Sequence, residues 1–184
     1  MGRAGDTVDA IGLSVALLPQ TTALGQASGT AVAGGGGGNA FTDGQPAQGA
    51  RIAEVRVRAG DTIDAVQMIY ALADGRLSAG TRHGGKGGRE NVFRLDNDEY
   101  ITGISGRYGD TVDSLRIHTN KRTSPAYGGG GDHDFRLDAP SGAQAVGFVG
   151  RAGNTVDAIG LIYGTAQRQG TPWDRLRPSP RNRY

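Results

Sequence analysis

The sequence predicts an all-β domain made of three small sheets around one pseudo-threefold axis, and three observations lead there. A phrase of nine or ten residues recurs along the chain, a glycine cluster recurs in step with it, and the apolar residues beside the phrase alternate with period two. Glycine supplies 33 of the 184 residues, about 18% against a typical 7% or so, so the chain must be rich in turns.

The phrase occurs at Gly2–Ile11, Arg58–Val66, Gly106–Leu115 and Gly150–Ile159, each time reading Arg-x-Gly-(Asp/Asn)-Thr-(Val/Ile)-Asp. The clusters are Gly34–Gly38, Gly84–Gly88 and Gly128–Gly131, followed by Phe41, Phe93 and Phe135, which are expected to enter the core. From the last glycine of each cluster to the closing Asp of the next phrase lie 26, 25 and 26 residues, which defines three near-equal modules. Runs such as Ala53–Val57 and Ala145–Val149 precede the phrase. After it, Val66, Met68 and Tyr70, then Leu115 and Ile117, then Ile159 and Leu161, fall on alternate positions, as strands with one buried face require. No segment between glycine breaks sustains a helical stripe, and three copies are too few for a usual propeller. Each small sheet can bury its inner face only against the other two.

Composition removes several classes of function. There is no cysteine, so disulfides and thiolate metal sites are out, and compartment cannot be read from redox chemistry. No targeting segment and no membrane span is read, because the apolar run at Val15–Leu18 is short and follows Asp6 and Asp9. The net charge of +2 hides an asymmetry: the segment 165–184 holds five arginines against Asp174 alone, which leaves the rest at −2. The folded part therefore has no nucleic-acid footprint, and the basic segment reads as a solvated, flexible tail. His83, His118 and His133 lie in different modules without metal-ligand spacing and read as satisfied surface residues. The pairs Asp61 with Asp64 and Asp110 with Asp113 sit within single open turns, where the two opposed faces of glycoside hydrolysis are absent. Asp96–Glu99 reads as a solvated turn. Glycine clusters about 45 residues apart cannot stack as calcium-binding nonapeptides, and Gly84–Gly88 lacks the Ser or Thr of a phosphate loop. Neither a metal nor a cofactor is expected, and the chain is not read as an enzyme.

The phrase does carry recognition chemistry. Its glycine allows a positive φ, so successive N–H groups can face one point while the last Asp projects a carboxylate there. A pyranose offers adjacent hydroxyls that donate and accept, which matches a carboxylate beside backbone donors. An Asp that merely bonds its own turn is the competing reading, and repetition alone does not decide between them, because fold symmetry also copies turns.

In combination, the glycine cluster, the Gly-Arg-x-Gly-x-x-x-Asp phrase and the threefold repeat resemble the jacalin-related lectins over about 130 residues, Gly34 to Gly164. The resemblance implies a β-prism I fold of three Greek-key, four-stranded sheets. It also implies sugar binding through the Asp carboxylate and the N–H groups of two intervening residues, opposite a glycine loop. Carried onto this chain, it places one site at Gly153, Asn154, Thr155 and Asp157, facing Gly37 and Gly38 of Gly34–Gly38. A second comprises Gly60, Asp61, Thr62 and Asp64 with Gly87 and Gly88. The third comprises Gly109, Asp110, Thr111 and Asp113 with Gly130 and Gly131. Because the glycine loop is internal, without the freed N-terminal glycine of the galactose-preferring branch, mannose- or glucose-type glycans are the expected partners. The aromatic often found in the last loop is replaced by Asn154 and Thr155, while Tyr108 stands before Gly109.

The fourth phrase, with Gly5 and Asp9, has no glycine cluster before it. Segment 1–18 is read as the end of a preceding domain or as a strand that docks on another subunit. A third reading has it compete with Gly150–Ile159 for one sheet position. Segment 19–33 is then a linker, 34–164 the lectin-like domain and 165–184 the tail. Homo-oligomers remain open, nucleic acid and membrane insertion are not expected, and the alternative function is an assembly module that uses the prism for protein contacts.

Overall fold

The computed structural model describes residues 28–29 and 31–165, which form fourteen strands and no helix. In chain order these are β1 (Ser28–Gly29), β2 (Ala33–Gly34), β3 (Asn39–Thr42), β4 (Arg51–Ala59), β5 (Ile63–Ala71), β6 (Leu77–Ala79) and β7 (His83–Gly84). There follow β8 (Arg89–Arg94), β9 (Ile101–Tyr108), β10 (Val112–Thr119), β11 (Tyr127–Gly128), β12 (His133–Asp138), β13 (Ala143–Ala152) and β14 (Val156–Thr165).

Each module contributes one long hairpin, β4–β5, β9–β10 or β13–β14, with the repeated phrase at its tip. An outer strand flanks the first arm of each hairpin: β8 lies on β4, β12 on β9 and β3 on β13. The second arm carries an interrupted outer strand, which is β6 and β7 on β5, β1 and β2 on β14, and β11 on β10 with a bridge from His118 to Thr123. All pairings are antiparallel. Three four-stranded sheets of one topology result, the three-sheet arrangement expected from the repeat and the β-prism architecture implied by the resemblance. The third sheet joins β1–β3 to β13–β14, so the first and last parts of the described chain close the ring. Ser28, Gly29 and Ala33, read as linker from the sequence, are paired with β14. Segments 1–18 and 166–184, with the fourth phrase and the arginines of the tail, lie outside the described residues.

The alternation predicted for the hairpin arms is what fills the core. Val55, Val57, Val66 and Met68 come from the first sheet, Ile104, Leu115 and Ile117 from the second, and Phe148, Ile159 and Leu161 from the third. All ten side chains are fully buried. Of the three phenylalanines expected inside, Phe93 is buried, whereas Phe41 and Phe135 pack against the rim of the core.

Polar groups tie the sheets together at their junctions, and two sequence expectations change here. His83 is not a surface residue: it is buried, its Nε2 lies 2.6 Å from Asp43 Oδ1, and its ring stacks on Phe41 at 3.9 Å. Asp43 Oδ2 in turn accepts the Phe148 N–H at 2.7 Å, and Tyr70 donates its hydroxyl to the Val146 carbonyl at 3.0 Å. The first and third sheets are thereby pinned by groups 40 and more residues apart, a proximity that periodicity cannot reveal. Asp96–Glu99 is not wholly solvated either. Asp96 and Asp98 are exposed and pair with Lys121, but Glu99 is buried and takes Arg122 Nε at 2.9 Å, Nη2 at 3.0 Å and the Thr119 hydroxyl at 2.7 Å. Arg122 also lies over the Phe93 ring at 4.8 Å and donates to the Arg94 carbonyl, joining the first sheet to the second.

The bonds from Arg122 pull the Glu99 carboxyl from its ordinary 4.5 down to about 2. A depressed carboxyl contributes stability above its unfolded value and loses it as pH falls toward the folded one. The urea midpoint should therefore fall more steeply from about pH 5 to about pH 2 in the parent than in Glu99→Gln, and equal acid slopes would refute this assignment.

Candidate functional site

The tips of the hairpins owe their form to a register change at one residue. Arg58 pairs with Ala65 and Ala59 with Ile63, so Asp64 is the extra residue of a β-bulge. Asp113 and Asp157 are skipped in the same way, between Val112 and Ser114 and between Val156 and Ala158. A bulge frees the backbone of one residue from the ladder and re-aims its side chain. The freed carbonyl of each Asp accepts an N–H from the facing cluster at 2.8 Å: Gly35 to Asp157, Gly85 to Asp64 and Gly129 to Asp113. The phrase and its cluster are thus fastened by one bond that occurs three times. Across each tip, Gly60, Gly109 and Gly153 donate their N–H to the carbonyls of Thr62, Thr111 and Thr155 at 2.9–3.1 Å.

Glycine is required where the cluster meets the carboxylate. A Cβ on Gly37 would stand 2.5 Å from Asp157 Oδ1, and one on Gly87 2.2 Å from Asp64 Oδ1. The next residues, Gly38 and Gly88, have φ of +58° and +57° and lie as close to the second carboxylate oxygen, a conformation that disfavours any side chain. Each carboxylate therefore rests on a wall of bare backbone. Arg151 holds that wall by donating Nε and Nη2 to the carbonyls of Gly37 and Gly38, both at 2.7 Å, and Arg58 does the same for Gly87 and Gly88 at 2.8 and 2.7 Å. Those arginines belong to the repeated phrase, but their role as clamps was not evident from it.

The structure brings together all three predicted pairs, with one change of register. Gly128 and Gly129 take the places of Gly34 and Gly35, and Gly131 lies against the Asp113 carboxylate as Gly37 does against Asp157. Gly130, predicted beside it, faces open space instead. The residue equivalent to Gly38 and Gly88 is Asp132. The cluster at Gly128–Gly131 is one glycine shorter than the span of Gly34–Gly38, and counting back from its end set Gly130 one place out.

The three carboxylates are also satisfied differently. Asp64 Oδ2 accepts the Gly60 N–H at 3.1 Å, and Asp113 Oδ1 accepts the Thr111 hydroxyl at 2.9 Å. Asp157 Oδ2 is buried and meets no donor among the described residues, and such an acceptor calls for one. Asp61, Asp110 and Asn154, midway along the tips, are exposed.

All three tips share one base of the prism and touch in a ring. A Cβ on Gly35 would meet the Asp110 carbonyl at 2.2 Å, on Gly85 the Asn154 carbonyl at 2.2 Å, and on Gly129 the Asp61 carbonyl at 2.7 Å. The second glycine of each cluster thus packs on the tip of a neighbouring sheet. A cavity of about 110 Å³ opens at the opposite base, among Arg51, Tyr100 and Gln144, where β4, β9 and β13 begin. No cluster of metal-ligating side chains occurs among the described residues.

This arrangement matches known proteins. The model of the jacalin-like lectin domain fits residues 30–162. Horcolin from barley, Hordeum vulgare, is 39% identical over 133 residues, covering 69% of this chain and 90% of its own. An agglutinin of Castanea crenata is 33% identical over 178 residues, but this chain spans 56% of its length. Among solved structures, a mannose-specific jacalin-related lectin from Morus nigra in complex with mannose superposes with a TM-score of 0.68 at 34% identity, covering 79% of this chain and 99% of that one. Artocarpin complexed with methyl-α-mannose gives 0.68 at 29% identity, over 76% and 99%.

Proposed function

Because the chain belongs to the jacalin-like lectin domain family, and is accordingly a non-catalytic carbohydrate-binding protein, we propose that it binds mannose- or glucose-type glycans at its Gly-x-x-x-Asp tips. One observation carries the assignment to the tips: Asp64, Asp113 and Asp157 are each set out of the strand by a bulge, and the Asp64 and Asp157 carboxylates are laid against walls of bare glycine backbone. Two adjacent sugar hydroxyls can donate to such a carboxylate while their lone pairs accept N–H groups of the tip, and the bare wall lets the ring come close. Charge-assisted bonds of this kind supply orientation, and each contributes roughly 1.5–3 kcal/mol net of the water bonds it replaces. Single sites of this design are weak, and several on one base raise avidity on a dense glycan. Mannose is favoured by the mannose complexes of the Morus nigra lectin and artocarpin and by the internal position of Gly34–Gly38.

The test is a glycan array with the parent and with Asp64, Asp113 and Asp157 all changed to Ala. Loss of signal with an unchanged melting temperature is expected. A triple variant that binds as the parent does would move the sites elsewhere, whereas a parent that binds no glycan on the array would leave the assembly-module reading in its place.

A further inference from the structure

The three tips are built on one plan, yet the Asp113 tip departs from it at three places. At the other two tips, the wall facing the loop glycine is bare: a Cβ on Gly153 would see the Gly38 Cα at 3.7 Å, and one on Gly60 the Gly88 Cα at 3.8 Å. At the third tip the corresponding neighbour of Gly109 is the Asp132 carboxylate, with Oδ2 at 3.5 Å, as near as Asp113 Oδ2 itself. Asp113 Oδ1 is already engaged by the Thr111 hydroxyl. Finally, Arg107, the counterpart of Arg58 and Arg151, does not clamp the cluster: its Nε pairs with Asp134 at 3.3 Å.

From this we infer that Asp132 closes the Asp113 tip to neutral hexoses, so that the prism has two working sugar sites, at Asp64 and Asp157. The inference rests on the reading that the tips are where sugar binds. A neutral ring seated on Asp113 would have to strip water from a second carboxylate, Asp132, whose neighbouring Arg107 is paired with Asp134 instead. It would also meet a side chain where the other tips offer only backbone. Two carboxylates converging on one face match no single pair of vicinal hydroxyls better than one does, and each resists burial of the other.

Amide spectra of the ¹⁵N-labelled full chain titrated with methyl α-mannoside test this tip by tip, and the same spectra report whether each variant is folded. Shifts are expected at Gly60–Thr62 and Gly153–Thr155 and not at Gly109–Thr111, with Asp113→Ala leaving the titration unchanged. In Asp132→Gly the amides of Gly109–Thr111 should begin to shift along with the others. Parent shifts at all three tips, weaker binding in Asp113→Ala, or an Asp132→Gly variant whose third tip stays silent would each overturn the role given to Asp132. Silence at every tip would instead remove the assignment of sugar binding to the tips, and this inference with it.

Discussion

Replacing Gly37 and Gly87 together by Val is expected to lower mannoside binding by about a hundredfold or more while leaving the thermal unfolding of the domain nearly unchanged. The new Cβ atoms would start 2.5 and 2.2 Å from the Asp157 and Asp64 carboxylates, far inside van der Waals contact, so the walls must swing away from the oxygens they abut. Two charge-assisted bonds per site are worth roughly 1.5–3 kcal/mol each, and losing their alignment exceeds the factor of ten that each 1.4 kcal/mol represents. Both glycines are exposed and lie outside the core, which is why stability should be spared. Calorimetric titration with methyl α-mannoside and a melting curve measure the two halves of this claim. A double variant that retains parental affinity would show that the wall is not part of the site.

Phe148→Ala should be the most damaging single truncation, at about 3–5 kcal/mol in urea unfolding. Phe148 is completely buried and is the largest side chain so enclosed. It belongs to a core cluster drawn from the hairpins of all three sheets, whose hydrogen-bonded strands cannot easily collapse into the void. Its own N–H is fixed by Asp43, whose other oxygen holds His83, so the backbone at this point resists relaxation as well. A loss below about 1.5 kcal/mol, the scale of a tolerated volume change, would mean that the centre of the prism is less tightly packed than it looks.

Much of the architecture was legible because symmetry wrote it several times. Spacing of the clusters and phrases separates the modules, and alternation at Val66–Met68 and Ile159–Leu161 assigns the inner faces. The pairing of Gly34–Gly38 with Gly153–Asp157 across the whole chain was implied by the family resemblance. What stayed hidden depends on contacts between modules. The buried states of His83 and Glu99 come from partners 40 and 23 residues away in sequence, Asp43 and Arg122, and nothing local to either residue signals burial. The bulges at Asp64, Asp113 and Asp157 were invisible because an extra residue changes register without changing composition. Asp132 was legible as a letter but not as a position. Only the superposed tips show that it stands where Gly38 and Gly88 stand.

The ring of tips has a consequence for what one molecule can do to a glycan-coated surface. Because Gly35, Gly85 and Gly129 pack each tip on the next, the sugar sites proposed for the tips would all lie on one base of the prism. With binding confined to that base, a single prism would be a grip and not a bridge: it could hold neighbouring branches of one glycan or one membrane face, but not a second particle behind it. Clumping of cells or vesicles by this protein would need another prism turned outward, whereas retention on a single surface needs only this one.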